Sequence, residues 1–333
     1  NLLKKIMAKT DLMQERVVYK PFEYQEAADY WLKQQQAHWL HTEVPMMSDL
    51  TDWNQNLNET EKNIIGSILK GFAQTETVVN DYWSGLVTKW FRKPEIIMMA
   101  TTFGAFETIH AEAYSLLNET LGLENFDEFM EDEATMAKIE ALTSVRDSFN
   151  GKKDLHEIAK SLAVFSAFTE GVNLFSSFAI LLSFKMRNKL KGVGQIVEWS
   201  IRDESLHSEA GCWLFRTLIA ENPELKTPEL EAAINEAALL SLQLELDFIK
   251  KCYELGDLEG CSQYDLENFI KNRINTKLGD LGYKGIIGNI DLTAVERMKW
   301  FDALSAGKQH TDFFANRVTN YSKGNMNWDE SIF

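Results

Sequence analysis

Only five prolines (Pro21, Pro45, Pro94, Pro223 and Pro228) interrupt 333 residues, so the chain has few points at which a helix is forced to stop. Across most of the intervals between them, apolar residues recur at helical spacing. This pattern predicts an all-α fold in one large domain, long enough to bury a sizeable core. Helices are expected near 23–38, 59–87, 94–121, 127–148, 153–186, 192–220, 228–255, 263–277 and 292–320. Pro94 and Pro228 suit a first helical turn, Thr227 suits an N-cap, and Gly122 stands where a helix ending near Leu121 wants a left-handed residue. Glycines at 279, 282, 285 and 288 mark a loop between the last two helices.

Charge and cysteine usage narrow the partners. A formal net charge of −16 argues against nucleic-acid binding, which needs a basic face to replace phosphate counterions. Three cysteines (Cys212, Cys252 and Cys261) without CxxC spacing make neither a disulfide framework nor a zinc site, and fit a reducing cytoplasm. The apolar stretch Leu162 to Phe184 carries one charge, Glu170. Asn173 and several serines interrupt it and no aromatic belt or basic flank accompanies it, so a helix buried in a bundle is expected and not a membrane span.

Two copies of Glu-x-x-His, Glu107-Thr-Ile-His110 and Glu204-Ser-Leu-His207, carry the chemistry. Residues three apart share a helix face, so each pair offers a carboxylate and an imidazole to one point. One copy alone arises easily by chance and usually lies on a solvated face. Here Glu107 follows Phe103-Gly-Ala-Phe106, and Glu170 lies among Val164, Phe165, Phe168 and Val172. A carboxylate on an apolar helix needs compensation from a cation, a proton or a metal. Few basic residues adjoin these acids in sequence, which favours metal.

Glu76 completes four carboxylates and two imidazoles, the inventory of a four-helix carboxylate di-metal site. Glu107 and Glu204 are the expected bridges, with Glu76 and His110 on one ion and Glu170 and His207 on the other. Oxygen donors with imidazole suit iron or manganese. Tyr114, two turns after Glu107, should face the metals; it is either plain core with a satisfied hydroxyl, or a residue oxidised by, or hydrogen-bonded to, the centre.

With these motifs the chain resembles the small (β, radical-generating) subunit of class I ribonucleotide reductase over essentially its whole length. The marks are Glu76, Glu107-Thr-Ile-His110 with Tyr114, Thr169-Glu170-Gly-Val, Gly192-Val-Gly-Gln-Ile, Arg202-Asp203-Glu204-Ser-Leu-His207 and Phe313 to Tyr321. The resemblance implies a ferritin-like bundle over residues 1–320 and a flexible tail over 321–333 that docks on the large subunit. Within that tail Trp328, Ile332 and Phe333 are candidate anchors, with Asp329 and Glu330 setting orientation. It implies a homodimer, and a stored oxidising equivalent sent to a cysteine of the large subunit, which reduces ribonucleotides. The implied route leads from the metals through His110, Asp203 and Trp39 to Tyr321. Glu76 where most members have Asp, together with Tyr114, resembles subclass Id, in which a Mn(III)/Mn(IV) pair holds the equivalent; two irons or a mixed Mn/Fe pair are the alternatives. Two other functions compete: a self-contained di-metal oxidase or monooxygenase, and a ferritin-like metal-storage protein.

Overall fold

The computed structural model describes residues 11–123, 127–149, 151 and 154–307. Its helices are α1 (Gln25–Gln36), α2 (Met47–Gln55), α3 (Glu59–Asp81), α4 (Pro94–Thr120), α5 (Glu133–Phe149) and α6 (Leu155–Val164). They continue with α7 (Phe175–Met186), α8 (Lys191–Glu221), α9 (Pro228–Cys252), α10 (Gln263–Asp280), α11 (Leu292–Arg297) and α12 (Trp300–Gly307). No β-strand occurs among the described residues. The expected all-α class is therefore observed, and none of the described helices is long and apolar enough to cross a membrane.

Two antiparallel hairpins make the core. In the first, α3 lies along α4: Asn80 Nδ2 donates to the Gly104 carbonyl at 2.6 Å, and Asn118 Nδ2 to the Leu69 carbonyl at 3.2 Å near the other end. In the second, the α6–α7 run lies along α8, with Lys185 paired to Glu198 at one end and Ser166 against Gly211 at the other. Apolar burial holds the hairpins together. Every residue from Phe175 to Phe184 is buried, so α7 has no solvent face until its last two residues.

The helix ends obey local rules. Thr227 accepts from the Leu230 amide and precedes Pro228, Pro94 opens α4, and Gly122 takes a φ of +71° just beyond it. Asn58 and Glu61 form a reciprocal capping box at the start of α3. The start of α8 is capped from a distance: Asp49 of α2 accepts from the amides of Gly192 and Val193 at 3.0 and 2.8 Å. A Cβ at Gly192 would stand 2.7 Å from Asp49 Oδ2, so the glycine admits the carboxylate.

Three departures from the sequence reading bear on function. α2 was not expected. The helix expected over 153–186 is broken: after α6 it widens into a π-helical turn, Phe165–Thr169, and leaves helical geometry before α7 begins. A second π-helical turn, Tyr82–Val87, follows α3. Such turns insert one residue into the ladder and cluster at functional sites. The segment expected as one helix over 292–320 is α11 and α12 up to Gly307. The remainder, with Tyr321 and the tail proposed over 321–333, lies outside the described residues.

Gly211 sits where α8 meets the first of these turns, and a Cβ there would stand 2.1 Å from Ser166 Oγ and 2.6 Å from Ser166 Cβ. Replacing an interior helix glycine by alanine ordinarily stabilises by about 1 kcal/mol. Here Gly211→Ala is expected to destabilise by about 1–3 kcal/mol, through overpacking. Urea unfolding of the metal-free protein checks the sign: a lower midpoint is expected, and an equal or higher one contradicts the packing described.

Candidate metal centre

Four elements of the core deliver the ligands. α3 supplies Glu76, α4 supplies Glu107 and His110, the residue after the π-helical turn is Glu170, and α8 supplies Glu204 and His207. All six are at most 4% exposed. Their donor atoms fall into two overlapping groups within 4.8 Å, Glu76–Glu107–His110–Glu204 and Glu107–Glu170–Glu204–His207. Glu107 and Glu204 belong to both.

Both imidazoles present Nδ1 to this centre. His110 Nδ1 lies 3.0 Å from Glu107 Oε2 and 2.9 Å from Glu204 Oε1, and His207 Nδ1 lies 2.8 Å from Glu107 Oε1. The far nitrogens are held by the protein: His110 Nε2 is 3.0 Å from Asp203 Oδ2, and His207 Nε2 is 2.9 Å from Gln34 Oε1. A neutral ring with Nε2–H donating outward leaves Nδ1 as a free donor to a metal.

The electrostatics describe a site short of positive charge. Among the described residues, the ion pairs of Glu107, Glu170 and Glu204 go to His110 and His207. Burial, with the charge of Glu107, pushes Glu76 well above the ordinary carboxylate range and Glu204 to about 8. Burial and the Glu204 charge raise Glu170 likewise. Burial acts on Glu107 too, but His207 and His110 outweigh it and hold that carboxyl below its usual range. Burial opposes charge on both imidazoles, yet the surrounding acids raise them.

The residues fit a two-ion centre. Glu76 Oε1 is buried without a hydrogen-bond partner, and Glu107 Oε1, Glu204 Oε1 and His207 Nδ1, though close to neighbouring ligand atoms, make no aligned hydrogen bond. Orphaned donors of this kind are costly in a dry core unless a ligand takes them up. Two divalent cations would match four carboxylates in charge, and the donor set suits iron or manganese. A cleft of about 290 Å³ between α3 and α4 runs from exposed Thr77, Thr108 and Glu112 to Glu76 and Glu107, giving ions a way in.

The other sequence candidates are partly assembled here. Trp39 donates from Nε1 to Asp203 Oδ2 at 2.7 Å and stacks on His110 with ring centroids 5.9 Å apart. Thus His110, Asp203 and Trp39 form one contact chain. Tyr114 is fully buried, packs on Phe72 at 4.1 Å, and faces the charges of His110, Glu76 and Glu204. Its hydroxyl makes no well-formed hydrogen bond. Tyr321 lies outside the described residues.

Two residues escaped the sequence reading. Trp83 donates from Nε1 to Glu170 Oε1, and Gln34 bridges His207 and Asp203, its Nε2 lying 3.0 Å from Asp203 Oδ1. Trp83 follows Glu76 by seven residues, the spacing that picked Tyr114 from Glu107, so the same rule would have found it. Gln34 had a weaker signal: a ligating histidine needs a partner on its other nitrogen, and none had been assigned to His207.

Comparison with known proteins follows this geometry. The family described as "Ribonucleotide reductase, small chain" matches residues 16–290. A probable ribonucleoside-diphosphate reductase small subunit of Invertebrate iridescent virus 3 is 35% identical, over 97% of this chain and 89% of its own. The ribonucleoside-diphosphate reductase subunit beta of Chlamydia pneumoniae is 27% identical, over 92% and 91%. Among solved structures, a putative class I ribonucleotide reductase from Bacillus halodurans superposes with a TM-score of 0.76 at 21% identity, covering 84% of this chain and 99% of that one. The dimanganese(II)-NrdF of Streptococcus sanguinis gives 0.72 at 21% identity, covering 86% and 99%. At that identity the structural likeness speaks for the fold.

The raised groups fix a pH dependence. Glu76, Glu170, Glu204, His110 and His207 all hold protons to higher pH in the folded chain than when unfolded. Between the ordinary carboxylate value of 4.5 and about 8 the folded state therefore binds more protons, and metal-free stability falls as pH rises. Glu107 acts oppositely, but only below 4.5. Metal must displace those protons, so added Mn²⁺ should raise the melting temperature more at about pH 8 than at about pH 6. Melting curves with and without metal test this; a metal-free melting temperature that rises across the window contradicts it.

Proposed function

The chain belongs to the ribonucleotide reductase small-chain family, and on that premise we propose that it is the radical-generating β subunit of a class I enzyme acting with a separate large subunit. The observation that carries the reading is the joining of two features: overlapping ligand groups that share Glu107 and Glu204, and a buried contact chain leading out through His110, Asp203 and Trp39. Two redox-active metal ions, when bound, supply the stored one-electron oxidising equivalent. The ligands Glu76, Glu107, His110, Glu170, Glu204 and His207 hold them.

Asp203 organises the exit. Its Oδ2 accepts from His110 Nε2 and Trp39 Nε1, and its Oδ1 from Gln34 Nε2 and more distantly from Arg202. Burial works against the charge, but His110 and Arg202 keep this carboxyl below its usual range. It is therefore an anion that orients the His110 ring and lies 2.7 Å from the indole nitrogen Nε1 of Trp39. When Trp39 gives up an electron its N–H becomes strongly acidic, and Asp203 Oδ2 is placed to take that proton and return it. The tilted stack of Trp39 on Trp199, 5.1 Å between centroids, fixes the indole plane.

Finer assignments rest on the same premise. Glu76 with Tyr114 supports a manganese pair of the subclass Id kind, and the fold is shared with a dimanganese protein. Iron or mixed Mn/Fe is the alternative. Tyr114 stays unoxidised in this account. Residues 321–333 dock on the large subunit and Tyr321 continues the transfer route; the chain works as a homodimer in the cytoplasm.

Two experiments test this. Ending the chain after Arg317 is expected to abolish partner-dependent reduction of ribonucleotides with bound metal unchanged, and Asp203→Asn is expected to abolish it as well; turnover without a partner would point instead to a self-contained oxidase. Elemental analysis and electron paramagnetic resonance after aerobic activation are expected to give two manganese ions and a coupled Mn(III)/Mn(IV) signal. Stoichiometric iron with a tyrosyl radical contradicts the manganese assignment.

A further inference from the structure

The backbone just beyond Glu170 is held by cations that touch no ligand atom. Between the π-helical turn and α7 the chain leaves helical geometry, and two amides reach back five residues, Glu170 to Phe165 and Asn173 to Phe168, both at 3.0 Å. Two carbonyls in this stretch accept from side chains instead. Lys138 Nζ, from α5, donates to the Asn173 carbonyl at 2.7 Å. Arg273 Nε, from α10, donates to the Gly171 carbonyl.

Each cation is itself fixed. Lys138 pairs with buried Glu245 at 2.7 Å, whose other oxygen accepts from Ser176 at the start of α7. Arg273 lies over the Phe175 ring, 3.3 Å from its centroid, and is acted on by the charges of Asp302 and Asp280. Gly171 has no room for a side chain: a Cβ would stand 2.2 Å from the Ala167 carbonyl oxygen, 2.8 Å from Lys277 Cδ and 2.9 Å from Ser208 Oγ. The segment is thus pressed from α8 and α10 and tied through its carbonyls from α5 and α10.

We propose that Lys138 and Arg273 are positioning residues for Glu170, tying the Asn173 and Gly171 carbonyls so that Glu170 and His207 can bind their metal ion without affecting the ion held by Glu76 and His110. Glu170 belongs to one donor group only, so a loosened segment should weaken one ion selectively. An ordinary packing role would weaken both ions or neither. This inference rests on the two-ion reading above.

The test is a Mn²⁺ titration of the full chain, following bound metal by elemental analysis and the isolated-ion against coupled-pair signals by electron paramagnetic resonance. In Arg273→Gln and in Lys138→Met one ion is expected to bind about 10- to 100-fold more weakly while the other keeps its affinity within about twofold, the range seen when groups behind a ligand are removed. Arg273→Lys, which keeps the charge and a donor, is expected to recover most of the loss. Two ions bound with unchanged affinity in both variants, or equal loss of both, overturns the proposal. If Arg273→Gln does not fold, Lys138→Met decides alone. Failure of the two-ion reading is separately visible, because the unaltered protein would then bind fewer than two ions.

Discussion

Four carboxylates buried together in the helical core are the constraint the rest of the structure answers to. Glu76, Glu107, Glu170 and Glu204 lie together with two imidazoles as the nearest compensation. Burial first, and then the charge of neighbouring carboxylates, makes three of the four acids titrate high. An apolar core would not keep such a cluster for stability. Its arrangement makes sense as a charge deficit to be filled by cations, with long helices supplying a frame stiff enough to hold it.

Around that cluster, hydrogen bonds decide which atom of each ligand faces inward. Asp203 and Gln34 fix the two histidines from behind, and Gln34 ties those partners to each other. Trp83 does the same for Glu170. Asp203 also joins the centre to Trp39, so the groups that orient the metal ligands are the groups through which charge would leave. Orientation of the ligands and the proposed transfer route therefore share one hydrogen-bond network.

Much of this was legible because helical periodicity converts spacing into geometry. Glu107 with His110, and Glu204 with His207, converge because residues three apart share a face, and Thr227, Pro94 and Gly122 mark helix ends for reasons local to the backbone. What stayed hidden depends on contacts between distant segments. The unwound stretch after Glu170 is held by Lys138 and Arg273, distant in sequence. No periodicity announces it, and the apolar run over 153–186 reads as one helix. Likewise Gly192 is explained by Asp49 and not by its own neighbours. Gln34 could be found only by asking what supports His207.

Crystals grown with Mn²⁺ and measured for anomalous scattering test the central claim most directly. The account predicts two peaks per chain, one reached by Glu76 and His110, the other by Glu170 and His207, with Glu107 and Glu204 contacting both. A single peak, or metal bound away from these six residues, would contradict it.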